Sequence, residues 1–567
     1  MNKTITILRK KFKKYNIDGY IVPKNDDFFT EYSKINRLKT ISNFSGSAGL
    51  AVILKKKNYL FTDGRYTIQS KIESGKHFKI IDFEKIVNCN LFKNLVLGID
   101  PKLFTYNQIK KFFTKKNKIK FIKNNLVDEI KIKKDNKSRS FYSLSKNTVG
   151  ESYHSKINKI SKYLKKNKSD YLFVSAPENV AWLLNIRGWD VPNSPIPNSR
   201  LIISKTKKIY FISKIQKTKK IIKEKIIKLN ELVNIDDFSD TIFNLKGKNF
   251  VIDDKSCSIY FEDIIKSKFR IIKRKDPTYF LKAIKNRVEI KNMINTHIVD
   301  GAALTKFIYW MKVINKKKIN EVQAQDKLES FRKLNKNYLY PSFDTIAGSG
   351  RNGAIIHYRA KKENCKVIKK KDIFLCDSGG QYKYGTTDVT RTICFSKPKS
   401  HIKKVFTKVL KGHIAVVTSN LKKNDTGKKI DIRARKYLKQ INLNYAHGTG
   451  HGVGYFLNVH EGPQSISKFN KIKIKEGMIL SNEPGYYKKG KFGIRIENLI
   501  YVKKIKKDII FENLTLAPID NELIDYKLLT SLEKKYLFKY HLDIYSKISK
   551  YLNLKEKKWL SSFIQHF

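Results

Sequence analysis

Two segments in the first third of the chain share one pattern of apolar and polar positions. Residues 7–23 and 157–175 each open with a basic amphipathic pattern, pass through an aspartate (Asp18 and Asp170), and end in a short apolar run. The first part is typical of a helix and the second of a β-strand. Further strand-like apolar runs follow in both copies, at 50–54, 59–61, 201–203 and 209–212. Alternating helices and short strands predict two small α/β domains of similar build.

The pattern changes at two places along the chain. A polar stretch at 131–152 separates the two copies, and the second copy ends near Asp276-Pro277. Residues 281–314 then carry a long helical pattern, and beyond Pro341 short strands and glycines prevail. We therefore expect two α/β domains followed by an α+β domain, with bounds at 1–140, 145–277 and 278–567.

Composition agrees with several soluble domains. The 567 residues exceed what one core can hold, and no apolar run approaches the ~18 residues of a membrane helix, so we expect no membrane association. Lys and Arg exceed Asp and Glu by 118 to 50, a net charge of +68, but the lysines are spread along the whole chain and predict no specific nucleic-acid partner. Five cysteines without a C-x-x-C pair indicate a reducing, cytoplasmic setting.

A first candidate hairpin places two aspartates on neighbouring strands. The apolar run 373–376 ends in Asp377, and after a glycine turn the chain returns through 386–393, where Asp388 stands in strand-like alternation. A hairpin of this length brings the two side chains close together. Because two facing carboxylates repel each other, they indicate a bound cation.

A second candidate hairpin supplies two glutamates. Glu483 lies in the outgoing apolar strand, and Glu497 lies in the returning strand after a turn of lysines and glycines. Period-2 alternation puts Arg495 and Glu497 on one face. Arg495 is then placed to hold carboxylates from behind, as the groups around metal ligands do.

Three histidines, His447, His451 and His460, fall within fourteen residues between the hairpins. Alternating glycines at 448–454 let the backbone run close to a bulky or charged neighbour. One histidine alone is more often structural, but three histidines flanked by four isolated acids predict a metal centre. Four carboxylates and one imidazole suit two divalent ions, Mn²⁺ before Zn²⁺, Co²⁺ or Fe²⁺. Such a pair activates water for hydrolysis.

The order and spacing of these segments resemble the metal-site motifs of the pita-bread metallopeptidases, and specifically of the Xaa-Pro aminopeptidases (aminopeptidase P). The segments are 377–382, 387–392, 447–454, 482–485 and 495–498. The front of the chain resembles the three-domain branch of that family at 43–49, 61–66 and 181–188. The likeness extends to Tyr540-His541 and so covers nearly the whole chain.

The resemblance implies two creatinase-N-like domains, a C-terminal pita-bread catalytic domain with an extension, and a homodimer. It implies that Asp377 and Asp388 bind one metal ion, that His451 binds the other, and that Asp388 and Glu497 bridge the two. Glu483 is a further ligand and the candidate general base. The implied reaction removes the N-terminal residue from peptides with proline in second position, through a hydroxide shared by the two ions.

The same resemblance extends to three histidines outside the ligand set. His357, His447 and His460 match the family's active-site histidines. Orienting the substrate and stabilising the oxyanion are the roles that we expect for them.

Two other functions remain open. A prolidase-like Xaa-Pro dipeptidase would use the same metals, and cleavage of longer peptides would distinguish the two. A metal-free binding protein on the same fold is the other alternative, and the complete ligand set argues against it.

Overall fold

The computed structural model describes residues 2–87, 92–113, 117–130, 139–315 and 318–564. The chain divides into two compact units, Met1–Tyr279 and Phe280–Phe567. Among the described residues, no helix is both long and apolar enough to cross a membrane.

The first unit begins with a six-stranded sheet. In spatial order its strands are Lys79–Asp82, Asn58–Thr62, Leu50–Leu54, Gly19–Pro23, Val96–Ile99 and Lys118–Phe121. The helices of this half are Asn2–Lys14, Arg37–Ser42, Thr67–Ser74 and Tyr106–Phe112. Ile5, Leu8 and Phe12, spaced three and four apart, are buried in the core with the sheet residues Tyr20 and Val22. The helix predicted from the basic amphipathic pattern is therefore present, and its apolar face packs on the core.

A second six-stranded sheet follows. Its strands, in spatial order, are Leu232–Val233, Ile209–Ile212, Arg200–Ser204, Tyr171–Val174, Asn249–Ile252 and Arg270–Lys273. The helices of this half are Lys146–Val149, Tyr153–Lys166, Pro177–Leu183, Lys219–Lys223, Phe238–Asn244 and Ile259–Lys266, and a small ladder pairs Tyr142–Ser143 with Ile186–Arg187.

Both sheets have the same sequence of pairings. From the first strand named to the last, neighbours are parallel, antiparallel, antiparallel, parallel and parallel. Two α/β domains of similar build were predicted from the repeated apolar pattern, and that prediction is confirmed. The domain bounds given above remain a prediction.

The second unit combines long helices with four small sheets. Its helices are Arg287–Tyr309, Glu321–Lys333, Ser400–Val417, Gly427–Lys439, Ser531–Ile548 and Leu554–Ser561, with Thr278–Ala283 at the boundary. The long helical pattern predicted over 281–314 is interrupted, because Asn286 caps a new helix by accepting from the backbone N–H groups of Val288 and Glu289. Residues Trp310–Ile314 continue that helix as a π-helical turn.

The strands of the second unit bring four acids and a histidine into its interior. One sheet contains Ile346–Ser349, Ile373–Ser378 and Val389–Cys394, and another contains Tyr338–Pro341, Gly380–Tyr382 and Gly385–Thr386. A five-stranded sheet orders Glu461–Ile466, Gly450–Gly452, Ile479–Asn482, Asn498–Ile505 and Asp508–Asn513. A two-stranded ladder pairs Gly485–Lys488 with Phe492–Arg495.

Candidate metal centre

The first hairpin places Asp377 and Asp388 at the same end of one strand pair. Asp377 lies opposite Thr390, and Ser378 lies opposite Val389, so Asp388 is the residue just beyond the last paired position. Both side chains are buried, at 8% and 4% exposure. The two aspartates are therefore neighbours at the strand ends rather than a directly paired couple.

The second hairpin changes sheets where its two glutamates lie. Asn482 pairs with Asn498 in the five-stranded sheet, while Gly485 pairs with Arg495 in the separate ladder. Glu483 and Glu497 occupy the gap between these two ladders. Because the strands are unpaired there, the backbone N–H of each glutamate bonds elsewhere, to Thr449 O at 2.8 Å and to Thr390 O at 3.1 Å respectively.

His451 brings the two hairpins together. It lies on Gly450–Gly452, which pairs with the strand before Glu483. The close neighbour that the alternating glycines allow is this strand: a Cβ on Gly450 would lie 1.9 Å from Ser481 O. Nδ1 of His451 lies 2.9 Å from the Gly452 carbonyl oxygen, which requires a proton on Nδ1. Nε2 is thereby left to face the carboxylates.

The side chains converge on one point. Ligand atoms of Asp388, His451 and Glu497 all lie within 4.8 Å of one another. Nε2 of His451 is 3.4 Å from Asp388 Oδ2 and 3.5 Å from Glu483 Oε1. Asp377 borders the same cluster, since the Asp388 and Glu483 carboxylates both act on its pKa.

Arg495 fixes the orientation of the acids. Its Nη2 donates to Asp377 Oδ2 at 2.5 Å, and its Nε donates to Thr390 Oγ1 at 2.9 Å. Thr390 Oγ1 in turn donates to Glu497 Oε2 at 2.7 Å. One buried guanidinium thus holds a carboxylate from each hairpin, directly for Asp377 and through a hydroxyl for Glu497.

The cluster carries more negative charge than its neighbours neutralise. Burial, reinforced by Asp388 and Glu483 and opposed by Arg495, raises the pKa of Asp377 to about 6. Burial and the same two carboxylates raise the pKa of Glu497 well above its ordinary value. Both shifts mean that an added positive charge would be strongly favoured here.

The same negative charge raises the pKa of the His451 imidazole as well, which favours its charged form. Burial alone would lower its pKa, but the Asp388 and Glu483 carboxylates outweigh burial and raise the pKa to about 9. For Glu483, burial is outweighed by His451, His447 and Arg495, which hold the pKa of that carboxyl below its ordinary value. Glu483 is therefore ionised at neutral pH.

The donor set fits divalent cations. Asp377 Oδ1 is buried, and no described residue donates a hydrogen bond to it, although its partner oxygen is held by Arg495. A buried carboxylate oxygen without a donor is costly unless a cation meets it. Carboxylate oxygens with one imidazole nitrogen are ligands for Mn²⁺, Fe²⁺, Co²⁺ and Zn²⁺.

The three other predicted histidines differ in their placement. The ring of His460 contacts that of His451, with centroids 4.3 Å apart. His447 Nδ1 is 3.9 Å from Glu483 Oε2, so it borders the cluster. His357 lies in a turn that follows the short 3₁₀ helix Gly350–Ala354 and is partly buried.

Sequence reasoning missed two residues that support the centre, Thr390 and Tyr487. Tyr487 Oη accepts from Arg495 Nη1 at 2.7 Å and lies 2.9 Å from His447 Nε2, so it links the guanidinium to that histidine. Thr390 shows a sequence signal, because strand alternation from Asp388 places both residues on one face. Tyr487 shows none, since a tyrosine beside a turn is common.

Comparison with known families agrees with this geometry. Residues 291–504 match metallopeptidase family M24, and 509–567 match the C-terminal region of peptidase M24. Residues 5–128 and 133–289 each match the creatinase/prolidase N-terminal domain. Fold and site together define a metallopeptidase with two such domains before the catalytic one.

Relatives over the full length make the assignment narrower. A probable Xaa-Pro aminopeptidase P of Laccaria bicolor is 38% identical over 590 residues, covering 98% of this chain and 91% of that protein. One of Coprinopsis cinerea is 35% identical over 609 residues, covering 99% and 97%. The chain belongs to the Xaa-Pro aminopeptidase P group of metallopeptidase family M24.

Solved structures agree with this assignment. The X-prolyl aminopeptidase of Caenorhabditis elegans, described as a cytosolic enzyme with a di-nuclear active site, is 28% identical and has a TM-score of 0.92, with 99% of each chain covered. A prolidase from Thermococcus sibiricus is 26% identical with a TM-score of 0.52, and covers 65% of this chain. The fold class predicted from the sequence, two creatinase-N-like domains followed by a pita-bread domain, is confirmed.

Proposed function

We propose that this protein is a metal-dependent aminopeptidase that removes the N-terminal residue from peptides with proline in second position. One observation carries the proposal: the ligand atoms of Asp388, His451 and Glu497 lie within 4.8 Å of one another in a buried, acid-rich centre. The relatives named Xaa-Pro aminopeptidase P, alike over nearly the whole chain, support the substrate class.

We infer that five side chains hold two divalent ions, with Mn²⁺ as the native metal. The five are Asp377, Asp388, His451, Glu483 and Glu497. When bound, such ions act as Lewis acids and lower the pKa of a water from 15.7 to about 7. The di-nuclear site of the Caenorhabditis elegans enzyme supports the count of two, and the oxygen-rich donor set supports manganese.

The surrounding residues keep the five side chains in position. Arg495 and Thr390 tie one carboxylate of each hairpin together. The Gly452 carbonyl fixes the His451 ring by accepting from Nδ1. Positions held in this way reduce the reorganisation that ligand binding would otherwise require.

Glu483 is the proposed general base. Its pKa is lowered, so it is ionised and able to accept a proton at neutral pH. Its two oxygens face different histidines, Oε1 at 3.5 Å from His451 Nε2 and Oε2 at 3.9 Å from His447 Nδ1. A proton taken by Glu483 can be returned to the leaving nitrogen of the proline ring, which has no hydrogen of its own.

The remaining histidines are proposed to act on the substrate. His447 and His460 lie beside the cluster, on either side of His451 in the sequence, and His357 is assigned with them on resemblance. Burial, opposed by Glu483, lowers the pKa of His447 to about 4. Its Nδ1 lies 2.7 Å from Gly448 O and its Nε2 lies 2.9 Å from Tyr487 Oη, so a neutral His447 must exchange one of these partners to hydrogen bond with a substrate.

The direct test is peptide hydrolysis by the purified protein. An Arg-Pro-Pro peptide and an Xaa-Pro dipeptide should be incubated with the chelated protein, with and without added Mn²⁺. We expect Mn²⁺-dependent release of arginine from the longer peptide. Cleavage of dipeptides alone would instead identify a prolidase-like dipeptidase, and no cleavage of either with any divalent metal would contradict enzymatic function.

A single substitution tests the role of Glu483. Glu483→Gln should reduce kcat by at least 10³-fold while the thermal unfolding profile stays close to wild type, because the amide cannot accept the proton. Glu476→Gln, at an exposed glutamate seven residues earlier, is the matched control and should retain full activity. Hydrolysis by Glu483→Gln within tenfold of wild type would contradict the assignment.

We also infer a homodimer in the cytoplasm. The dimer rests on the family resemblance, and sedimentation velocity of the purified protein measures it. The cytosolic description of the Caenorhabditis elegans enzyme supports the compartment, as do the free thiols of the four described cysteines. Localisation of a tagged chain by microscopy tests it.

A further inference from the structure

The first unit contains a cavity of about 720 Å³ lined from both of its halves. Asp26, Arg37 and Lys102 line it from the half with the first sheet, and Arg200 and Tyr260 line it from the half with the second. Pockets that bury small organic ligands have volumes of about 300–1,000 Å³. The proposed peptidase function makes no use of this cavity.

Ion pairs within the protein neutralise most of the acids in the cavity wall. Arg37 donates to both oxygens of Asp128, at 2.6 and 2.7 Å, and to Asp27 at 3.4 Å. Lys217 is paired with Asp190. These carboxylates already have cationic partners and do not call for a bound cation.

The two remaining acids of the wall, Asp26 and Asp236, also do not require a bound cation. Asp26 accepts from the Thr30 backbone N–H at 2.8 Å, from the Thr30 hydroxyl at 2.5 Å and from the Phe28 N–H at 3.1 Å. Asp236 is exposed to solvent. The acids of the cavity wall are therefore satisfied by the protein or by solvent and do not indicate a bound cation.

Arg200 differs from these groups because no described carboxylate binds it. Its guanidinium lies between the rings of Phe28 and Phe261, with centroids at 4.0 and 4.1 Å, and the residue is 4% exposed. Of its five N–H groups, one donates within the described part of the chain, to the Asp27 carbonyl oxygen. Burial, only partly offset by Asp27, lowers the pKa of Arg200 to about 10. The remaining N–H groups of Arg200, which lines the cavity, are available to an anion that binds there.

Lys102, another cation of the cavity wall, forms no ion pair with an acid among the described residues. The Nζ of Lys102 lies 4.9 Å from the centroid of the Tyr260 ring. Both cations are thus held against aromatic rings that also line the cavity, Phe28 and Phe261 for Arg200 and Tyr260 for Lys102. At Arg200 and Lys102 the wall therefore combines cationic groups with flat apolar surfaces.

We propose that this cavity is a binding site for a small organic anion, distinct from the peptidase centre. The carboxylate or phosphate group of the ligand pairs with Arg200 and Lys102, and its apolar body packs on Phe28, Tyr260 and Phe261. A planar guanidinium binds two oxygens of either anion in parallel, so both anion types are compatible with the site. The proposal is independent of the function proposed above.

Isothermal titration of the full chain with three probes tests the proposal. The probes are phenyl phosphate, benzoate and the neutral benzyl alcohol. We expect saturable binding of at least one anion with a stoichiometry of one per chain, and no binding of benzyl alcohol. The stronger anion identifies the preferred headgroup. Binding of neither anion would overturn the proposal.

Matched variants separate this site from the general attraction of a chain with net charge +68. Arg200→Gln and Lys102→Gln should each weaken binding at least tenfold, whereas Lys219→Gln, at an exposed lysine of the same half, should leave it unchanged. Equal weakening in all three variants would overturn the proposal, since it would indicate non-specific charge. Lys102→Gln removes a partly exposed side chain, so it keeps the test valid if Arg200→Gln fails to fold.

A crystal of the wild-type protein grown with phenyl phosphate provides a second measurement. The phosphate should lie within hydrogen-bonding distance of the Arg200 guanidinium. Density for the probe only at other sites, or none, would overturn the proposal. Peptidase activity is measured in parallel, so that a failure of the anion site is not confused with a failure of the catalytic assignment.

Discussion

Arg391 connects the metal centre to the C-terminal region of the catalytic unit. The residue is 3% exposed, and its guanidinium makes six hydrogen-bond contacts. The acceptors are the carbonyl oxygens of Thr390, Glu497, Ala517 and Pro518, Asn498 Oδ1 and Tyr540 Oη, at 2.6–3.0 Å. The contact to Glu497 O ties this network to one of the proposed metal ligands.

Replacement by lysine should destabilise the catalytic unit strongly. An ammonium group has three N–H donors in place of five, and it cannot reach acceptors on opposite sides of a planar group. At least three of the six hydrogen-bond contacts are then lost, at about 1–1.5 kcal/mol each. Arg391→Lys should therefore lower the free energy of unfolding by about 3–5 kcal/mol, although it keeps the charge.

Urea unfolding of the metal-free protein, followed by circular dichroism, measures this loss. Tyr540→Phe removes the hydroxyl that accepts from Arg391 and lies 2.9–3.3 Å from Ala517 O, Thr515 O and Asn498 Oδ1. It should cost about 1–2 kcal/mol, giving a graded series. Arg433→Lys is the control, since that arginine is only half-buried and makes two contacts, at 3.1 and 3.3 Å. If Arg391→Lys falls within 1 kcal/mol of Arg433→Lys, the guanidinium geometry is not what stabilises this region.

Three further predictions concern the metal centre. Asp388→Ala should lose at least half of the bound metal along with activity, which elemental analysis of purified protein measures. Thr390→Val should lower metal affinity about 10–100-fold, because Glu497 loses the hydrogen bond that holds its carboxylate. Competition with a fluorescent chelator measures the affinity, and an unchanged value would contradict the proposed role of Thr390. In chelated protein the folded pKa values of Asp377 and His451 lie above their unfolded values, so the stability that these groups contribute is present at low pH and is lost as pH rises through about 6 and about 9. The rise in Tm on adding Mn²⁺ should accordingly be larger at pH 8 than at pH 5.

The sequence predicted much of this fold because its signals are local. Each α/β half contains an amphipathic helix followed by a short apolar strand. The spacing of Ile5, Leu8 and Phe12 is typical of the core-facing side of a helix. The pairing order of the strands in the two sheets could not be predicted in this way. It depends on contacts between strands up to about 80 residues apart, such as Gly19 with Leu97, which no local pattern encodes.

The sequence identifies the acids of the cluster more readily than the residues that hold them in position, and the role of these acids as metal ligands remains a prediction. Isolated acids in apolar strands are conspicuous, because a buried carboxylate needs a partner. Arg495 could be predicted as a support because alternation places it beside Glu497. Tyr487 could not, since its position between Arg495 and His447 depends on the hairpin leaving one sheet for another between Glu483 and Gly485.

The net charge of the acidic cluster explains why this site favours two divalent ions. Four carboxylates converge. The guanidinium of Arg495, which contacts Asp377 directly, leaves three negative charges when His451 is neutral. One divalent ion would leave the buried cluster negative, whereas two make it slightly positive and so favour an anionic nucleophile or a developing oxyanion. The raised pKa values of Asp377 and Glu497 are the measure of the charge that the protein alone does not neutralise. It follows that the folding stability of the catalytic unit should rise with metal loading. A variant that neutralises one acid without disturbing the packing should be more stable than wild type in chelator, and it should be less active than wild type in Mn²⁺.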